Sequence, residues 1–221
     1  MIEITWEDET LANDNIPESD LTLKNIVWCS HLEKRAEREK NQGHRGQLVW
    51  LTGLPGSGKS TVAQFVDAKL SESGFQTVIL DGDILRHGLC QDLGFSISDR
   101  NENVRRVGEV AKLFLEQGFV VLVALVSPVR QMRDQVRRSF SGADFVEVHC
   151  KCPLEICRER DPKGLYAKAD SGKIAEFTGV SSPYEEPASP ELILFTSEET
   201  VEESVSRLSH LIVNIVKINH A

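Results

Sequence analysis

GLPGSGKST, residues 53–61, stands between the apolar run QLVWLT (Gln47–Thr52) and a stretch in which Val62, Phe65, Val66 and Leu70 recur at helical spacing. It matches G-x-x-x-x-G-K-[ST] at Gly53, Gly58, Lys59 and Ser60. A loop that wraps a phosphate turns its backbone N–H groups inward and lets oxygens come close, which side chains on the glycines would obstruct. The helix that follows aims its N-terminal dipole at the same point. Lys59 can then reach the outer phosphates of a nucleotide, and the Ser60 hydroxyl can hold Mg²⁺. A strand before and a helix after separate such a loop from a chance glycine turn. Gly53, Leu54, Pro55, Gly56, Ser57, Gly58, Lys59, Ser60 and Thr61 are therefore the expected phosphate cradle.

The rest of the chain repeats that alternation. QTVIL (76–80), FVVLVALVS (119–127), FVEVHC (145–150) and LILF (Leu192–Phe195) read as further buried strands. Between them lie helical stretches. One is opened by Asp99 as cap, with Val104, Val107, Ala111 and Phe114 as its inner stripe. Another starts just after Pro128, and a third spans PLEICRERDPKGLYAKADSG (153–172) and runs into a basic loop. A closing helix is marked by Val201, Val205, Leu208 and Ile212. This pattern predicts a three-layer α/β/α fold of P-loop kinase type with a mostly parallel sheet. Residues 1–45 read as an acidic arm, a short extended piece (NIVWCS) and a charged helix (HLEKRAEREK), and residues 46–221 as the nucleotide-binding domain.

Composition narrows the function. With 221 residues and a net charge of −9, the chain lacks the basic footprint of a general nucleic-acid binder. The longest apolar run, residues 119–126, is too short to span a bilayer, and the acidic start MIEITWEDET is unlike a signal peptide. A cytoplasmic protein without nucleic-acid or membrane partners is expected. Five cysteines show no framework spacing, and Cys150, Cys152 and Cys157 have no second C-x-x-C or His pair beside them. Reduced structural thiols fit better than a metal site.

In an open parallel sheet, ligands bind beyond the carboxyl ends of the strands. Three such ends should meet here: the glycine loop, Asp81-Gly82-Asp83, and Ser127-Pro128. Phosphoryl transfer needs a carboxylate to orient the attacking hydroxyl and help place Mg²⁺. Asp83, further into its loop, is favoured, while Asp81 is open between a site role and capping the next helix. Arg86 and Arg100 follow strand ends, where guanidinium forks suit sulfate or phosphate oxygens. Arg158, Arg160 and Lys163 surround Pro162 and Gly164 in a basic loop that can close as a lid. Phe95 can stack on a purine or serve the local core.

Taken together, GLPGSGKST, DGDILRHGL, LGFSISDRNENVRRVGEVAKLF, SPVR, EVHCKCPLEIC, RDPKGLY and FTGVSSPYEEP resemble adenylyl-sulfate kinases (APS kinases), from about Asn25 to the C-terminal helix. The resemblance implies transfer of phosphate from ATP to the 3′-hydroxyl of adenylyl sulfate, with Mg²⁺, in a homodimer. It implies that Asp83 meets the acceptor hydroxyl and, with Ser60, the metal. It implies that Arg86, Phe95, Arg100, Asn103, Leu165 and the segment around Ser127 hold the sulfate nucleotide, and that Arg160, Asp161, Lys163 and Gly164 form the lid. The family's phosphoserine would fall on Ser127, although in-line transfer between two bound nucleotides needs no phosphoenzyme. The chain departs from the family where Ile84 replaces a usual Asn, and also at Pro55, Val129, Lys151–Pro153 and Ser181. A small-molecule kinase with a sugar, shikimate-like or nucleoside monophosphate acceptor is the alternative. A nucleotide-binding module without activity is the third reading, kept open by Ile84 and Lys151.

Overall fold

The computed structural model describes residues 34–174 and 176–218. The acidic arm, NIVWCS and Cys29 lie outside the described residues. Five strands, β1 (Gln47–Thr52), β2 (Thr77–Asp81), β3 (Val120–Ala124), β4 (Phe145–Lys151) and β5 (Leu192–Phe195), pair in the order β2-β3-β1-β4-β5. Every pairing is parallel.

β1 is buried along its whole length. Its alternate residues face opposite sides of the sheet. Val49 and Leu51 join one cluster with Val62, Val66 and Leu70 of α2 (Lys59–Glu72) and Leu208 and Ile212 of α8 (Val201–Val216). Leu48 and Trp50 join the other with Val104, Val107 and Ala111 of α4 (Ile97–Glu116) and Met132 and Val136 of α5 (Arg130–Arg138). Two apolar faces on a parallel sheet require a helical layer on each, which is the three-layer form expected.

The remaining helices are short: α1 (Arg35–Gln42), α3 (Gly82–Leu85), α6 (Leu154–Arg160) and α7 (Leu165–Asp170). The described residues form one compact unit that includes α1. The α1 guanidinium of Arg35 reaches both oxygens of Asp144 at 2.8 Å, just before β4.

Several local expectations differ from what the structure has. α4 is capped by Ser96, which accepts from the Asp99 amide, so Asp99 sits one turn inside the helix. Phe65 of α2 is 56% exposed and leaves the core to Ala63. β3 stops at Ala124, short of the expected Ser127, which takes a left-handed φ of 38°. The long helix expected over residues 153–172 is two helices, parted at Asp161-Pro162-Lys163-Gly164. Among the described residues no helix is long and apolar enough to cross a membrane. Cys90, Cys150, Cys152 and Cys157 are buried free thiols, and no group of three or more potential metal ligands occurs among the described residues.

Candidate active site

Because β1 is central, with β3 and then β2 on one side, the three expected loops leave neighbouring strands at one edge. They line one cleft of about 940 Å³, to which residues 160–163, 165 and 166 and the start of α8 also contribute. In a chain of net charge −9, this cleft gathers Lys59, Arg86, Arg100, Arg160 and Lys163 against Asp81, Asp83, Asp161 and Glu199. That is the local basic pocket an anionic ligand needs.

The glycine loop is tightly braced. Gly56 has a φ of 78°, and a Cβ there would lie 2.9 Å from the Cys157 carbonyl oxygen, so glycine is required twice over. Gly58, at φ 88°, starts α2 in the left-handed region. The Tyr166 hydroxyl donates to the Pro55 carbonyl at 2.9 Å, and Thr196 Oγ1 donates to the Ser57 carbonyl at 2.9 Å. Among the loop residues, Gly53, Leu54 and Ser57 lie behind the cleft lining, while Pro55, Gly56, Gly58, Lys59, Ser60 and Thr61 line it.

Lys59 Nζ donates to the carbonyls of Gly53 at 3.0 Å and Leu54 at 2.8 Å. Burial lowers its pKa from the usual 10.5, against smaller raising effects of Cys150, Cys157, Asp83 and Asp81. If the ammonium form is the active one, activity is full below the lowered pKa and falls as pH rises through it. The alkaline limb of kcat/KM is therefore expected below the ordinary lysine range of 10.5, measured as initial rates across pH. A profile flat up to that value contradicts the role given to Lys59.

The two aspartates part company. Asp81 is buried, receives the Ser60 hydroxyl at 2.5 Å and caps α3 by accepting from the Asp83 amide at 2.9 Å. Asp83 is exposed and pairs with Lys163, eighty residues on in the 161–164 turn. Ser60 and Asp83 were expected to share the metal, but the carboxylate brought onto Ser60 is that of Asp81. A helix cap and a site ligand are the two roles the sequence left open for Asp81, and the structure gives it the first together with the contact to Ser60. No local signal separates the two residues, because their facing depends on where β2 ends.

Arg86 lies over the Phe95 ring at 4.3 Å from its centroid, with Arg100 at 5.6 Å. Arg86 is held by the carbonyls of Leu93 and Gly94, and Arg100 by those of Phe95 and Glu176. Burial lowers the Arg100 pKa, and the nearby Arg86 charge adds to this, against a smaller raising effect of Glu176. Asn103 Nδ2 and Thr178 Oγ1 are buried in cleft-lining residues without a hydrogen-bond partner among the described residues. An unpaired buried group costs about 1–3 kcal/mol, which a bound polar ligand can recover. Thr178 is not legible from the sequence, since a threonine in FTGV carries no signal of its own.

Arg160 and Lys163 line the cleft, with Arg160 donating to the Thr196 carbonyl at 2.6 Å. Arg158 turns away to Asp170, and Arg105 and Arg106 pair with Glu102 on the surface. Leu165 and Ile84 also line the cleft, Ile84 being 69% exposed. Ser127 is 3% exposed; its hydroxyl accepts from the Trp50 indole at 3.1 Å and donates to Thr52 Oγ1 at 3.1 Å.

The adenylylsulphate kinase family profile matches residues 45–195. An adenylyl-sulfate kinase of Shewanella amazonensis is 53% identical over 84% of this chain and 94% of its own. One of Prochlorococcus marinus is 52% identical over 87% and 97%. An APS kinase of Mycobacterium tuberculosis, solved in complex with AMPPNP and APS, superposes with a TM-score of 0.72 at 49% identity, covering 76% of this chain and 97% of that one. A hexameric APS kinase of Thiobacillus denitrificans gives 0.58 at 32% identity, covering 81% of this chain and 31% of that one.

Proposed function

The chain belongs to the adenylylsulphate kinase family, and from that premise we propose that it transfers the γ-phosphoryl group of ATP to the 3′-hydroxyl of adenylyl sulfate, giving ADP and 3′-phosphoadenylyl sulfate. The single observation that carries this reading is the cleft. One lining holds the braced glycine loop with Lys59, the Arg86–Phe95–Arg100 stack and the Asp83–Lys163 pair.

Lys59 and the loop amides bind the ATP phosphates, and Arg160 covers them from the lid side. Arg86, Arg100, Asn103 and Leu165 bind the acceptor nucleotide, with Phe95 against its base. Asp83 accepts the proton of the 3′-hydroxyl as its oxygen bonds to the γ-phosphorus and the bond to the ADP oxygen breaks. Lys163 neutralises charge on the transferring group. Ser60 Oγ and Asp81 form an adjacent pair of hard oxygen donors, which suits Mg²⁺. They would hold the ion, which would supply charge neutralisation to the phosphates; Asp83 is a further candidate oxygen. A homodimer belongs to the same proposal and is read by sedimentation velocity.

The engaged Ser127 hydroxyl supports direct transfer over a phosphoserine intermediate. Ser127→Ala is expected to keep kcat within about tenfold. It should lower stability by about 1–3 kcal/mol, because the Trp50 indole N–H loses its partner. Loss of all turnover in a folded Ser127→Ala protein would favour the phosphoenzyme.

The function is tested with Mg-ATP and a panel of acceptors: adenylyl sulfate, AMP, gluconate and shikimate. Fastest ADP release with adenylyl sulfate supports the reading. Faster release with any of the others supports the alternative kinase instead.

A further inference from the structure

Arg133 of α5 is 1% exposed, and each of its three guanidinium nitrogens donates a hydrogen bond. Nε donates to Glu147 Oε1 at 2.7 Å, Nη1 to the Ser127 carbonyl at 2.6 Å and Nη2 to the Glu185 carbonyl at 2.7 Å. The Tyr184 ring lies 5.8 Å from its Cζ, and the Tyr184 hydroxyl meets Thr52 Oγ1 at 3.0 Å. Glu147, on β4, is also nearly buried, and its second oxygen faces Arg137 at 3.5 Å. The Glu147 amide in turn donates to Glu191 at 2.6 Å.

Burying an ion pair is a poor way to stabilise a fold, since well-packed apolar residues commonly do as well or better. What the pair does here is geometric. A planar fork with fixed N–H directions joins two turns that the sequence separates by 58 residues, at Ser127 and Glu185. Ser127 holds a left-handed φ of 38°, a conformation that costs a non-glycine residue about 1–3 kcal/mol and persists only where the surroundings over-determine it. Arg133 fixes its carbonyl, Trp50 and Thr52 fix its hydroxyl, and the Glu185 amide fixes the next carbonyl, that of Pro128, at 2.8 Å. Leu125, Val126, Ser127 and Pro128 all line the cleft.

We propose that Arg133, oriented by Glu147, is a positioning residue for the acceptor nucleotide: it sets the 125–128 wall of the cleft without touching substrate. This inference rests on the functional reading above. It concerns the acceptor half of the site, because the ATP loop is braced independently through Tyr166 and Thr196.

The experiment is steady-state kinetics of the full chain with Mg-ATP and adenylyl sulfate, each varied in turn, beside thermal unfolding. Arg133→Lys keeps the charge but cannot reach Ser127, Glu147 and Glu185 together. It is expected to raise the KM for adenylyl sulfate by about tenfold or more, as displacement of a site wall by about an ångström would. The KM for ATP should stay within about threefold of wild type. Where Arg133→Lys does not fold, Arg133→Met combined with Glu147→Met removes the pair without leaving a buried charge, and the same split is expected. Equal changes in both KM values, or an unchanged acceptor KM in a folded variant, overturn the inference and leave the functional reading standing. A wild-type chain that does not phosphorylate adenylyl sulfate overturns both.

Discussion

Asp83→Asn is expected to lower kcat by on the order of 10²–10⁴-fold, the usual contribution of a positioned proton acceptor in the transition state. Asparagine has nearly the same shape but cannot take the proton of the attacking hydroxyl. The side chain belongs to a residue lining the cleft, and its Lys163 partner comes from the 161–164 turn, so the substitution also weakens a link between the two walls. The KM for ATP should change little, because the glycine loop is held by Tyr166 and Thr196 rather than by Asp83. Lys163→Met separates the two contributions: it removes the ion pair but leaves the carboxylate, and should cost less in kcat than Asp83→Asn. Steady-state rates for both variants check this. Near-wild-type kcat for Asp83→Asn would remove Asp83 from the reaction.

Lys59→Ala is expected to reduce kcat/KM by on the order of 10²–10³-fold, as removal of one preorganised charge stabiliser does. The Lys59 ammonium is buried against two loop carbonyls, so its charge is poorly solvated and available to phosphate oxygens. Its position on the first turn of α2 adds the helix dipole to the same point. The fold should tolerate the change, since the ammonium is not part of either apolar cluster. Circular dichroism together with ATP titration checks this, with secondary structure retained and nucleotide affinity reduced. Full turnover in the variant contradicts the role.

Much of the fold is legible because it depends on local pattern. Gln47–Thr52 and Leu192–Phe195 are apolar runs bounded by turn residues, and both are strands over the same limits. The glycine loop announces itself by composition. What stays hidden depends on partners far away in the chain. The expected long helix parts at Asp161, which ends α6 and whose carboxylate accepts from the Tyr166 and Ala167 amides in the first turn of α7. Phe65 fits the helical stripe of α2 but faces outward, because α8 packs on the other residues of that stripe. The contact of Asp81 with Ser60 depends on β2 and β1 lying two strands apart in one sheet. Arg133 is one of several arginines in RQMRDQVRR, and nothing in the run marks it as the buried one. Its partners are Glu147 and two backbone carbonyls, contacts that have no one-dimensional trace.

The most direct measurement follows ADP release with Mg-ATP, with and without adenylyl sulfate, and locates the new phosphate on the product by phosphorus and proton NMR. The account predicts that ADP release depends on adenylyl sulfate and that the phosphate is carried on the 3′-oxygen. ADP release indifferent to adenylyl sulfate, or phosphate on any other atom, would contradict it.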